Sequence, residues 1–220
     1  MSNPPTESVL ARIADLHPTQ ITVGFREVAQ KRRGLRFRIR KAGEKGAATL
    51  IAPIVLGPGG ALYLLDRHHL ACAMQAEGLQ EVQIRQIADF SALAPQDLWP
   101  ALEARGWCRP YDAEGRRQPF EDIPLTLASL RDDPFRSLAS ALRRAGGFTK
   151  RAPPFSEFAW ADFLRRRISR DVVVTDFDGS LDLALLLART LAARDLPGWR
   201  SDLAPKGGMG PPCSSPHAYG

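Results

Sequence analysis

The sequence predicts an α+β chain: a mixed α/β unit comes first and a helical part follows. Three observations predict it. Short apolar runs alternate with one clear helical pattern up to about Asp89. Beyond that point amphipathic helical spacing recurs, broken by proline and glycine. The composition is that of a globular protein, 44% hydrophobic and 25% charged over 220 residues. That length can bury a core without disulfide or metal staples.

"VLARIADL" (Val9 to Leu16) reads as a strand, ended by His17 and Pro18. "VGFREVAQKRRGL" reads as a short helix stopped by Gly34, its basic residues near the C-terminal end, where they favour the helix dipole. "RIRKAGEKGAATLI" is a glycine-broken connection. Two apolar runs then flank Gly57-Pro58-Gly59-Gly60, a hairpin signal. A helix from Arg67 to Glu77 carries Leu70, Ala73, Met74 and Ala76 and ends at Gly78. "EVQIRQIAD" returns as a strand.

In the second half, "SALAPQDLWPALEARGW" reads as a helix opened at Ala94 or Pro95 and closed by Gly106. "RPYDAEGRRQPFEDIP" is a turn-rich loop. "LTLASLRDDPFRSLASALRRAGGF" reads as two helices split before Pro134, because the residue preceding proline disfavours helix. "FSEFAWADFLRRRI" is amphipathic, with Phe155, Phe158, Trp160, Phe163, Leu164 and Ile168 on one broad face. A last helix, about Ser180 to Arg194, ends near Pro197-Gly198. The expected division is a mixed unit over residues 9–90 and a helical one over 91–199, with 1–8 and 200–220 disordered.

The net charge of +6 and a pI near 9.6 suit an anionic ligand or nucleic acid. The 30 lysines and arginines read as spread along the chain, hence as a solvated surface. No apolar run approaches the roughly 20 residues that span a bilayer. "MSNPPTESVL" does not read as a secretory signal. A cytoplasmic chain without a membrane partner is therefore expected. Cys72, Cys108 and Cys213 are widely spaced, which suits a reducing compartment and gives no zinc pattern.

Chemistry is signposted in "LYLLDRHHLACAMQAEGL", where a strand runs into a helix through Asp66, Arg67, His68 and His69. A helix N-terminus offers unpaired N–H groups and a positive dipole end, which attract phosphate. Asp66 is the expected N-cap. Arg67 can fork onto phosphate oxygens. His68 and His69, in the first turn, are expected to be neutral near pH 7 because the dipole lowers their pKa values. Adjacent helical residues point about 100° apart, so the two histidines make a poor metal pair and no metal site is expected. Arg26, Glu27 and Lys31 form a second set on the short helix: Glu27 and Lys31 read as an i, i+4 surface pair, and alternatively Glu27 as a general base toward a small hydroxyl with Arg26 as an anion clamp. In "RGWCRPYDAEGRR", Trp107 and Tyr111 read as anchors of a loop whose arginines stay wet. "VVVTDFDGSL" is similar to the first motif of haloacid-dehalogenase-type phosphatases, with Asp176 as nucleophile and Asp178 as acid/base. Too little chain follows for the rest of that site, so it reads as a short apolar segment and an Asp-Gly turn.

The strand-to-helix junction resembles a known family. In ParB-type chromosome-partitioning proteins a strand, Gly-Glu-Arg-Arg and a helix ending in glycine contact phosphate. Sulfiredoxins carry Gly-Cys-His-Arg at the same turn, and a free-serine kinase of this fold carries Asp-Gly-His-His. With Gly78 aligned to the helix-ending glycine, Arg67 takes the motif glycine, His68 the glutamate or cysteine, and His69 the first arginine. Leu70 stands at the second arginine. "APIVLGPGGALYLLD" and "EVQIRQIAD" fit the same pattern. "RGWCRPYDAEGRR", "DIPLTLASLRDDPFRSLASALRRAGGF" and "PFSEFAWADFLRRRI" resemble the branch called ParB-like nuclease, from Val9 to Ile168 and onward to Trp199.

The resemblance implies a ParB/sulfiredoxin-like domain followed by a helical domain. It implies binding of a nucleotide or small phosphorylated ligand by Asp66, Arg67, His68, His69 and Arg26, with Glu27 and His68 as catalytic candidates for phosphoryl transfer. Magnesium is expected with a di- or triphosphate. Residue 68 is not cysteine, which excludes sulfiredoxin chemistry. The alternatives are a non-catalytic DNA-associated protein, with nucleic acid as its partner, and a metal-dependent nuclease.

Overall fold

The computed structural model describes residues 8–43, 51–149, 156–200 and 202. Residues 8, 200 and 202 aside, the termini expected to be disordered lie outside the described residues, as do Phe155 and the glycine-broken stretch 44–50.

The first strand is shorter than expected. β1 (Val9–Arg12) gives way to a 3-10 turn, Ile13–Asp15, and the chain resumes as β2 (Leu16–Pro18) and β3 (Thr22–Val23). The turn lets Ile13 and Leu16 both reach the core, which strict strand alternation would not allow. Helix α1 (Phe25–Ala42) does not stop at Gly34. Nothing crowds that glycine, and Val28, Leu35 and Ile39 continue one apolar stripe onto the core. The stop comes at Gly43, whose φ of 63° is left-handed.

β4 (Ile51–Leu56) and β5 (Leu62–Leu64) form the expected antiparallel hairpin. Gly59 and Gly60 both have positive φ there, which only glycine adopts without strain. α2 (His68–Ala76) and β6 (Glu81–Asp89) follow. β6 runs parallel to β4 and antiparallel to β1, and β2 pairs parallel with β5. The sheet order is β1-β6-β4-β5-β2, with α1 and α2 packed on the core beneath it.

Of the helix expected from Ala94 to Gly106, the α-helical part is α3 (Leu98–Glu103), entered through a 3-10 turn. The first of the two helices expected around Pro134 is absent. Leu127–Ser129 is a 3-10 turn that sends Leu127 and Leu130 into the core of the first half. β7 (Arg131–Asp132) then pairs with β3. The two halves of the chain are therefore joined by a shared core and a shared ladder.

α4 (Pro134–Arg144) is the central helix of the second core, buried from Pro134 through Leu142. α5 (Ser156–Arg165) packs Trp160, Phe163 and Leu164 against it. The segment read as apolar before an Asp-Gly turn is α6 (Arg170–Thr175), capped by Ser169. α7 (Phe177–Ala188) starts three residues earlier than expected. Asp176 is its N-cap and accepts the Gly179 N–H at 3.0 Å. Among the described residues, no helix is long and apolar enough to cross a membrane.

A buried cation sits in the second core. Arg136 lies on α4 with its guanidinium 3.3 Å from the Phe158 ring centroid. Burial pulls its pKa down to about 10, against the attraction of Glu157 and Asp133. It still carries charge at neutral pH and acts on the histidines described next.

Candidate functional site

β5 ends at Leu64, and Leu65-Asp66-Arg67 carry the chain into α2. Arg67 occupies the N-cap with φ 67° and ψ 25°. It is the one non-glycine with positive φ among the described residues. Such a conformation costs an L-residue about 1–2 kcal/mol. Asp66 is therefore not the cap. It sits one residue too early, and its Oδ1 accepts the N–H of Arg67 at 2.6 Å. The Arg67 carbonyl accepts from Leu70 and Ala71, both at 2.9 Å. Among the described residues the N–H groups of His68 and His69 have no acceptor, as first-turn donors.

The two histidines part company. His68 shares a buried face of α2 with Ala71 and Met74. Its Nε2 accepts the Thr19 N–H at 3.2 Å, and it does not line the cleft described below. Burial first, then the Arg136 charge, lowers its pKa to about 3. His69 is half-buried and edges the cleft. Its Nε2 accepts the Gly24 N–H at 3.0 Å. Burial, then Arg136 and neighbouring cations, holds its pKa well below the ordinary value. Both rings are neutral, as expected, but burial rather than the dipole is the main cause. A backbone donor at Nε2 leaves Nδ1 to carry the proton in each.

A cleft of about 490 Å³ opens between α1, the start of α2, α4 and α5. Glu27, Lys31 and Arg38 enter from α1, and Asp66, Arg67 and His69 from the turn. Ser140, Arg143 and Arg144 come from α4, and Glu157 from α5. Glu27 is 4% exposed. It pairs with Lys31 at 3.2 Å and with Arg144. Burial pushes its carboxyl pKa up, but those two cations outweigh burial and hold it below the ordinary value. Glu157 pairs with Arg143 at 2.9 Å. Arg38 and Arg67 have no carboxylate partner among the described residues. The cleft therefore keeps two unspent guanidinium groups. Asp66 and Arg67 also edge a second hollow, about 300 Å³, beside Ile51, Pro53, Arg85 and Ile87.

Of the expected site residues, the cleft brings together Asp66, Arg67, His69 and Glu27. Arg26 turns away, its guanidinium 4.4 Å over the Phe177 ring of α7. The sequence reading missed Arg38, Ser140, Arg143, Arg144 and Glu157. Arg38 was within reach, because it follows Glu27 and Lys31 on one helical face once α1 continues through Gly34. Nothing local signals the rest; Glu27 and Arg144 are 117 residues apart.

Arg109 stacks on Tyr111 and Phe158 and pairs with Asp162 at 2.7 Å, which anchors its loop. Asp112 closes that loop by accepting the Arg116 N–H at 2.8 Å. Burial pushes the thiols of Cys72 and Cys108 up to about 12, so neither is a ready nucleophile. Among the described residues no three His, Cys, Asp or Glu side chains cluster to hold a metal.

Comparison with known proteins places this architecture. A comparison with curated proteins finds no match. Protein Atu1540 from Agrobacterium tumefaciens, a crystal structure, is 46% identical with a TM-score of 0.81, covering 88% of this chain and 98% of that one. ParB from Caulobacter crescentus, C-terminally truncated and complexed with CTP-gamma-S, is 17% identical with a TM-score of 0.30, over 84% and 94% of the two chains. The family model described as "Putative ParB-like nuclease" matches residues 9–166. That span runs from β1 through α5 and includes every element that walls the cleft, so the chain belongs to the ParB-like nuclease family.

Proposed function

We propose that the cleft binds a small phosphate-bearing ligand, a nucleotide in the first instance, with its phosphate at the Arg67 turn. One observation carries the reading. Arg67 holds a costly left-handed backbone at the open end of α2, and its guanidinium is free in a cleft beside an equally free Arg38. Strain of that kind persists where the surrounding structure enforces it, commonly at ligand clamps. Forked charge-assisted bonds from arginine, together with first-turn N–H groups, suit phosphate oxygens. The second hollow, edged by the same turn, sets Ile51, Pro53 and Ile87 beside Arg85, and those three apolar side chains suit the ligand's organic part. Magnesium would arrive with a di- or triphosphate, bound through its oxygens.

The geometry supports binding better than group transfer. Glu27 is ionised and doubly paired, so its role in this reading is to align Lys31 and Arg144 rather than to accept a proton. His68 supports the sheet side of the turn from within the core. Calorimetric titration with CTP, ATP, ADP and pyrophosphate, with and without magnesium, tests the proposal. Saturable binding is expected, weakened about tenfold or more by Arg67→Ala or Arg38→Ala and unchanged by Arg26→Ala. Absence of binding, or binding indifferent to Arg67 and Arg38, sinks it. Plasmid incubated with magnesium checks separately whether the family's name describes an activity of this chain.

A further inference from the structure

The basic excess of the chain is not spread along it. Helix α1 holds eight lysines and arginines against Glu27 alone. Its positive excess exceeds the +6 of the entire chain, so the remainder is close to neutral. The helix has three faces. Val28, Leu35 and Ile39 pack on the core. Glu27, Lys31 and Arg38 face the cleft. The third face presents Arg33, Phe37, Arg40 and Lys41, all exposed, with Phe37 60% exposed. Arg32 and Arg36 are engaged by Glu77, each at 2.6 Å. None of the outer four has a side-chain partner among the described residues.

We infer that this outer face of α1 is a docking track for single-stranded nucleic acid. Phe37 stacks one unpaired base, and Arg33, Arg40 and Lys41 contact the phosphates on either side. Arg33 and Lys41 each lie one turn from Phe37, about 6 Å along the axis, so a stacked nucleotide has a cation on both flanks. Charge complementarity selects a polyanion, and the aromatic selects among polyanions. A single strand offers open π-faces, whereas a duplex keeps its bases stacked. An anionic membrane fits less well, because Val28, Leu35 and Ile39 of α1 are turned inward and Phe37 is the one apolar side chain among the cations of the outer face, the other exposed aromatic, Phe25, lying at the far end of the helix. The track is separate from the cleft and does not depend on what the cleft binds.

Fluorescence anisotropy on the full chain tests the inference. The probes are a labelled mixed-sequence single-stranded oligonucleotide, the matched duplex, and phosphatidylserine-containing vesicles, at several salt concentrations. The single strand is expected to bind best, with log K falling against log salt at a slope of about −2 for three phosphate contacts. Phe37→Ala should weaken binding about tenfold and leave the slope unchanged. The combined change Arg33→Gln, Arg40→Gln and Lys41→Gln should flatten the slope nearly to zero. A melting curve of each variant confirms that the fold is intact. No binding at low salt, equal affinity for duplex with Phe37→Ala silent, preference for vesicles, or indifference to the triple change each overturns it.

Discussion

Replacing Arg67 by glycine should make the protein more stable and the cleft less able to hold an anion. At φ 67° and ψ 25°, a side chain costs about 1–2 kcal/mol relative to the right-handed region. Glycine avoids that cost but loses more backbone freedom on folding, worth about 0.5–1 kcal/mol. Glycine is also an acceptable N-cap, and the exposed Arg67 side chain forms no ion pair whose loss would count. The balance is a gain of about 0.5–1 kcal/mol. For a chain of this size that is a rise in Tm of about 1–4 °C. Arg67→Ala is the control. It removes the guanidinium but keeps Cβ, so the strain stays and stability should move by less than about 0.5 kcal/mol. Thermal and urea melts of the three proteins at neutral pH measure both. If glycine and alanine shift stability equally, or glycine destabilises, the strain argument is wrong.

Two other perturbations follow from the same packing. Gly24→Ala would bring a Cβ within 2.6 Å of the Ser137 backbone N and closer still to its Oγ, so a loss of about 1–3 kcal/mol is expected in urea melts; unchanged stability would mean α1 and α4 separate easily. His68 has a folded pKa near 3 against 6.5 when free, so the unfolded chain binds the extra proton as pH falls through 6.5, and about 2 kcal/mol of stability is lost by pH 5. Burial raises Asp133 to about 6, so the folded state gains a proton in the same window and offsets about 1 kcal/mol of that loss. His68→Gln keeps an acceptor for Thr19 and removes its titration; urea melts from pH 7 to 5 should then lose the His68 component while that of His69, also held low, remains, and an unchanged slope would refute the assignment.

What could be read from the sequence was what depends on neighbours in the chain. The hairpin at Gly57–Gly60, α2 and β6 all announce themselves through turn residues and spacing. Gly34 misled because glycine stops a helix only when the apolar stripe ends with it, and Leu35 and Ile39 carry the stripe on. Residues 127–130 carry helix-like leucines that are used one at a time to plug a distant core. Asp66-Arg67-His68-His69 marked a strand-to-helix turn that lies beside a cleft, but only three of the four line it. His68 lies three residues before Ala71 and six before Met74, on the inward stripe, while His69 falls beside it. The α4 wall of the cleft is a tertiary fact. Arg143 and Arg144 end α4 and are cleft residues only because α4 runs alongside α1.

The hydrogen bond from Gly24 to His69 joins two jobs in one imidazole. The ring borders the cavity, and it also bolts down Gly24, the N-cap of the basic helix. Any guest that recruits the Nε2 atom must first withdraw the bolt. Occupancy of the hollow would then be felt at the root of α1, and a slow-exchanging amide at position 24 would become a fast one.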